Sequence, residues 1–338
     1  MTGVQTCALP ISIQGSGSFI NQGTITVSNG NTLTLGSSSW SNSGTIAVTG
    51  GTLGLQGNGL TLAQLGTVTH TGGVVNLQTT LNDTGATLNV GTGTGLGTLT
   101  LASSGTIENG TIVDPGSGIA FAGGTLSGVT YDGTMNLSTT SSSVTITNGL
   151  TLAGINGTGT GTINLTGQST DIYAEGGQTL NNATLNIGNA GNNTYLYNYD
   201  PYGIAVLTLG TSLTINQVGT YAILDTSYDA RPASGIVNAG TIDADLSGGT
   251  FTIQGSGSFT NQGTIAVSNG DTVSLDSSSW SNSGTITVTG GTLDLEGNGL
   301  TLAQLGIVTH TGGVVNLQTT LNDTNAMLSV GTDRKSVV

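Results

Sequence analysis

The residues of this 338-residue chain best suited to chemistry are tyrosines at alternate positions, closed by an aspartate. Tyr195, Tyr197 and Tyr199 fall at i, i+2 and i+4, so a strand would carry all three rings on one face. Asp200-Pro201 ends the run in a turn, and Tyr202 follows. Segment 193–232 holds six of the eight tyrosines, including Tyr221 and Tyr228, with Asp225 and Asp229 among them. Such a row can stack on sugar rings or meet a protein partner, because a phenol joins an apolar face to a polar tip. The rings can equally pack over a loop or a lateral hairpin, the reading that residue type favours. Tyr195, Tyr197, Tyr199, Tyr202 and Asp200 form the candidate ligand-binding surface.

The other reactive side chains are scattered. His70 and its copy His310 each lie in Val-Thr-His-Thr-Gly-Gly, with no Cys, His or acid beside them. A metal site needs several such ligands converging, so these read as strand-end histidines. Glycoside hydrolysis needs two carboxyls across one bond, and the closest same-face pair is Asp243/Asp245, which reads as an exposed strand edge. The calcium-binding pattern Gly-Gly-x-Gly-x-Asp is absent. Neither a cofactor nor a metal is expected, and no residue is assigned a catalytic role.

Composition excludes whole classes of partner. The net charge is −14, with three basic residues, Arg231, Arg334 and Lys335, against seventeen acids. So few cations cannot neutralise a run of phosphates, which argues against nucleic acid and against anionic lipid. No apolar run approaches the ~20 residues of a spanning helix, so membrane insertion within this sequence is not expected. Cys7 is the only cysteine, which fits secretion but also fits a reducing compartment. Gly (58 residues) and low charge (6%) could suggest disorder, yet mean hydropathy is +0.14 and Val, Ile, Leu and Thr alternate in short runs. That alternation is the strand signal, and no stretch keeps a helical period.

The elements that must position these residues follow from self-similarity. Residues 13–92 return as 253–332 at a fixed offset of 240, with 67 of 80 positions identical. The division read from this is a first repeat unit over 13–252 and the start of a second over 253–332. Residues 1–12 and 333–338 fall outside the repeat. Met1–Ile11 and Asp333–Val338 resemble translated sequencing adapters, so both ends are expected to be non-native. Without them the body holds sixteen acids and Arg231 alone, 16 − 1, a net charge of −15.

A shorter period runs inside the unit. Apolar-x-Asn-x-Gly-Thr-Ile occurs at 19–25, 40–46, 236–242, 259–265 and 280–286, with weaker cousins at 101–107 and 129–135, where Tyr131 takes the Asn slot. Marker glycines at 23, 44, 66, 85 and 105 are spaced 21, 22, 19 and 20 apart, the length of one solenoid coil. Ile25, Val27, Leu33, Leu35 and Trp40 are expected inside, with Trp40 stacked near Phe19 of the preceding coil. Five such side chains stabilise a coil by on the order of 10 kcal/mol before chain entropy is subtracted. The asparagines Asn21, Asn42, Asn238, Asn261 and Asn282 are expected to form an amide ladder. The fold class is therefore all-β, a right-handed parallel β-helix of about 15 coils and ~70–75 Å, since parallel crossovers are right-handed. Threonine pairs such as Thr24/Thr26 suggest an ice-binding face, but the position slips to Ala47, Asn164 and Ala266, and ordinary strand surface explains them.

Repeated Asn-x-Gly-Thr-Ile coils, scarce lysine, a cysteine-free body and long near-identical blocks resemble the β-helical repeats of large bacterial surface exoproteins. Autotransporter passengers and filamentous-haemagglutinin-like adhesins are the familiar members. The resemblance spans 13–332 and rests on style and period. It implies a secreted or cell-surface bacterial protein whose repeats act as an adhesive or display stalk toward glycans or surface proteins. β-Helices also carry polysaccharide hydrolases and lyases, whose Asn-Thr-Asp, Asp-Asp and Gly-His-Gly motifs and basic site residues are not found here. The alternative is a spacer solenoid attached to a polysaccharide-acting domain outside this sequence.

Overall fold

A computed structural model describes residues 10–229, 233–324 and 327–328. The chain folds as an all-β solenoid of about 14 turns, and every strand-to-strand ladder in it is parallel. An isolated antiparallel bridge, Asn189 with Tyr221, stands outside those strands.

One coil shows why the sequence folds this way. Strand Thr250–Asn261 covers two sides of the coil and bends where its register shifts between Gly255 and Ser258. A two-residue turn, Gln262-Gly263, leads to the third side, Thr264–Val267. The next coil repeats the plan, pairing Thr250 with Thr272, Ser258 with Ser279 and Thr264 with Thr285. Phe251, Ile253, Phe259, Ile265 and Val267 all point inward and are buried. Each coil thus supplies the five apolar side chains expected, and the alternating threonines and serines stand outside.

The repeated motif has a part for each residue. Asn21 donates to the side-chain oxygen of Asn42 at 2.7 Å, Asn238 to Asn261 at 2.8 Å and Asn261 to Asn282 at 2.8 Å. The ladder ends at Asn42 and Asn282, whose amides turn to the carbonyl oxygens of Leu65 and Leu305 in coils without an equivalent asparagine. The glycine two places later is where neighbouring coils come closest. A methyl at Gly44 would overlap the Gly23 carbonyl oxygen, and one at Gly284 the Gly263 carbonyl oxygen. Trp40 and Trp280 are buried and paired with Phe19 and Phe259 of the coil before. Phe19, Ile13 and Ile25, in the first described coil, are partly buried, with no earlier coil among the described residues to cover them.

Three features differ from the expected plan. The coil is about 22 residues long, against the 20 expected. The step is 21 from Thr24 to Thr45 but 26 from Thr80 to Thr106 and 30 from Thr184 to Thr214, because loops insert residues without breaking the ladder. Short helices, Leu62–Leu65 and Leu302–Leu305, replace strand at one corner of each repeat, each opened by a capping box of Thr and Gln. Tyr131 does not join the asparagine ladder. It is fully buried and donates to Asp114 at 2.5 Å, inside strand Ile119–Leu137, which pairs with five other strands as it runs around the coil. Ile11 and Ser12, within the segment set aside as non-native, extend the first strand and pair with Leu33 and Thr34.

Two substitutions test this packing. Trp40→Ala should destabilise the coil by roughly 3–5 kcal/mol, read as a lower urea midpoint; an unchanged midpoint would put the indole outside. Gly44→Ala should lower the melting temperature, whereas Gly23→Ala, with nothing within 4 Å of the added methyl, should leave it nearly unchanged.

Candidate functional site

The tyrosine row lies where its spacing predicts. Strand Thr194–Tyr199 buries Thr194, Leu196 and Asn198 and turns Tyr195, Tyr197 and Tyr199 outward, half-buried. Tyr195 and Tyr197 stack at 4.7 Å with planes 6° apart. The next ring in the stack is Tyr173, one coil earlier, 5.1 Å from Tyr197 and 8° from parallel. Tyr173 pairs with Tyr197 in register, 24 residues before it, an offset longer than the average coil, so it is the register that brings it to the row. Tyr228, from a separate loop, sets its ring edge-on to Tyr173, Tyr197 and Tyr199 at 5.3, 4.9 and 5.6 Å. The segment is thus both packed and exposed. The tyrosines cover one another and remain partly exposed to solvent.

Asp200 does not share that surface. It is buried, and its carboxylate accepts hydrogen bonds from the backbone N–H groups of Tyr202 (2.9 Å), Ile204 and Ala205. Burial raises its pKa, but the amides of Ala205, Tyr202, Ile204 and Gly203 outweigh burial and hold it below the usual carboxylate range. An aspartate at the head of a turn bonds its own loop more readily than a ligand. It staples a loop that presents Tyr202 and Ile204 to solvent, 83% and 76% exposed. Asn198 is the second pin, donating its amide to the carbonyl oxygens of Ala205, Thr226 and Gly235 and so tying two loops beneath the row. Asp225, the register partner of Tyr197 on the next coil, lies on the same outer face but is covered there, accepting from the Ser227 N–H at 3.0 Å and from Gln254 at 3.3 Å. Arg231 lies outside the described residues.

Among the described residues the remaining titratable groups are scattered, apart from Asp245 and Asp243, which approach Asp271 closely enough to add to burial in raising its pKa. His70 and His310 sit at a coil corner with a ring nitrogen 3.1 and 3.0 Å from the carbonyl oxygens of Gly73 and Gly313. Asp243 is half-buried and Asp245 exposed on the same outer face. Burial, then Asp245, pushes the Asp243 carboxyl up. Among the described residues no group of three or more His, Cys, Asp or Glu is placed to hold a metal ion, and no helix is long and apolar enough to cross a membrane.

No family model and no curated protein matches the chain. Among solved structures it is similar to a crystal structure of the TibC-catalyzed hyper-glycosylated TibA55-350 fragment. That match has 15% identity and a TM-score of 0.25, and covers 90% of this chain and 98% of that one. A superposition of that quality bears on neither fold nor function.

Asp83, four coils before Tyr173, gives the rod a pH dependence. Its carboxyl is fully buried, with neither oxygen hydrogen-bonded among the described residues, and burial raises its pKa to about 6. A raised carboxyl favours the protonated fold, so its stabilisation is full below pH ~4 and is lost as pH rises through ~6. Burial pushes Asp171 and Asp271 the same way. The melting temperature should therefore rise from pH 7 to pH 5, and Asp83→Asn should raise it at pH 7 and flatten that slope. A parallel slope in the variant would mean that Asp83 ionises freely.

Proposed function

We propose that the chain is a non-catalytic, adhesive stretch of a secreted or surface-exposed bacterial protein, a rod that holds weak contact sites at fixed spacing. The observation that carries this reading is the outward tyrosine cluster, borne on a parallel ladder that runs beneath it from coil to coil. At ~4.8 Å per turn, about 14 turns make a rod of roughly 65–70 Å. A stack of this kind transmits little motion and presents a side chain at a set height. Several weak sites on such rods add through effective concentration, with no single contact having to be tight.

The outer face is otherwise rich in Thr, Ser and Asn, and the tyrosines are the aromatic break in it. Tyr202 and Ile204, in the loop that follows the row, are further exposed apolar groups. Glycans or surface proteins are the partners that this surface suits: ring edges and hydroxyls offer both apolar contact and hydrogen bonds.

The test is a double substitution, Tyr197→Ala with Tyr199→Ala, on protein-coated beads. Reduced adherence to cells or immobilised glycans, with the melting temperature within ~2 °C of the parent, is the expected result. A fall in melting temperature with adherence intact would make the tyrosines structural only.

A further inference from the structure

Three tyrosine rings meet at one place on the rod, each nearly perpendicular to the other two. Tyr173 and Tyr199 are 6.0 Å apart at 78°, Tyr199 and Tyr228 5.6 Å at 77°, and Tyr173 and Tyr228 5.3 Å at 89°. Tyr199 is half-buried on the outward face, while Tyr228 and Asp229 are exposed. Glu175 is the register partner of Tyr199 on the preceding coil and also faces out. Burial first, then Asp229, Glu175 and Tyr228, hold the Tyr199 phenol above its usual range, so both carboxylates lie within electrostatic reach of the ring.

Among the described residues the charge around these rings is one-sided. The three basic residues of the chain, Arg231, Arg334 and Lys335, all lie outside the described residues, so no described lysine or arginine neutralises Glu175 or Asp229. A sugar stacks on a flat aromatic face, but the faces of Tyr173, Tyr195 and Tyr197 are turned onto one another. Tyr199 and Tyr228 stand outside that stack, edge-to-face with each other and beside two carboxylates. A cation within ~6 Å of a ring centroid is attracted by the ring quadrupole, and centroids 5.3–6.0 Å apart can share one cation. A guanidinium suits this corner better than an ammonium, because it stacks on rings and pairs with carboxylates through two hydrogen bonds.

We infer that the corner of Tyr173, Tyr199 and Tyr228, rimmed by Glu175 and Asp229, binds an arginine side chain from a basic segment of a partner protein. This deepens the adhesive reading and rests on it.

The experiment uses the full chain and a fluorescent peptide of four Arg-Gly units, with citrulline in place of arginine as the uncharged control. Fluorescence anisotropy should show the arginine peptide binding at least tenfold more tightly than the citrulline peptide. Tyr199→Ala with Tyr228→Ala should weaken it at least fivefold at unchanged net charge, while Tyr199→Phe with Tyr228→Phe should retain it. Equal binding by the alanine variant would mean general attraction to an acidic chain, and would overturn the inference. Arg231→Gln is run in parallel, so that an arginine of the same loop cannot occupy the corner unnoticed. Absence of arginine-peptide binding in both backgrounds also overturns it. Adherence of coated beads to cells without peptide binding sinks this inference alone; peptide binding without adherence sinks the adhesive reading alone.

Discussion

Everything in this molecule depends on one coil lying at backbone hydrogen-bonding distance above the next, in parallel and nearly in register. That constraint decides which residues recur. Where two coils approach most closely only glycine fits, because a methyl at Gly44, Gly263 or Gly284 would occupy the space of a carbonyl oxygen one coil away. Where a polar side chain turns inward at a corner, it must find a partner directly above or below. Asparagine does this well, since its amide donates one way and accepts the other. The run Asn238–Asn261–Asn282 is that requirement repeated twice. Isoleucine two places past the glycine fills the interior. Asn-x-Gly-Thr-Ile is thus a record of stacking geometry, and carries no chemistry of its own.

The same geometry places like residues over like, which has a cost for charge. Carboxylates in successive coils would face each other at strand spacing. The second repeat is more acidic than the first, with Asp294 and Glu296 where Gly54 and Gln56 stand. Both acids are met by neutral donors on adjacent coils: Asn316 donates to Asp294 at 2.7 Å and Ser274 to Glu296 at 3.0 Å. Asn76, the copy of Asn316, already stands opposite Gly54 in the first repeat. A ladder lined with amides and hydroxyls can therefore accept an acid at an outward position with little repulsion. Asp271 is the exception, buried and bonded to the amides of Leu246 and Thr272, with Asp245 and Asp243 close enough to raise its pKa alongside burial.

How much of this could be read from the sequence depends on whether a feature repeats. The interior of the regular coils was legible, because Phe19/Trp40 and Phe259/Trp280 recur at the coil length and the register follows from them. Residues 77–161 were harder. There the step between paired strands varies from 19 to 28, so counting marker glycines misassigns partners: Gly105 lies over the Leu77 carbonyl oxygen, and Thr106 pairs with Thr80. The short helices carried a signal that went unused, Thr61-x-x-Gln64 and Thr301-x-x-Gln304. At the tyrosine site, alternation gave the face of Tyr195, Tyr197 and Tyr199, since a period of two needs no knowledge of neighbouring coils. Tyr173 and Tyr228 could be placed only with the register, because they arrive from other coils. Asp200 was misread for a local reason: in a turn its carboxylate has its own amides within reach before any ligand arrives.

A solenoid of this kind separates what holds the fold from what a partner can touch. Core contacts and backbone ladders are made between coils, so an outward residue can change while the coil beneath it stays intact. The two repeats differ at 13 of 80 positions and still form matching elements, such as strands Thr32–Asn42 and Thr272–Asn282. The tyrosine segment takes that freedom furthest. Its coils lengthen to 28 residues between Tyr195 and Ile223, and the added chain becomes the loops that carry Tyr202 and Tyr228. Those loops would be loose on their own; Asn198 and Asp200, turned inward from the strand and its end, bind them to it through their backbone. The polar residues beneath the row therefore do the positioning, and the aromatic residues above it face outward. Exchange of the outer side chains then changes the surface at constant architecture, which is how an array of near-identical coils can acquire a single distinctive patch.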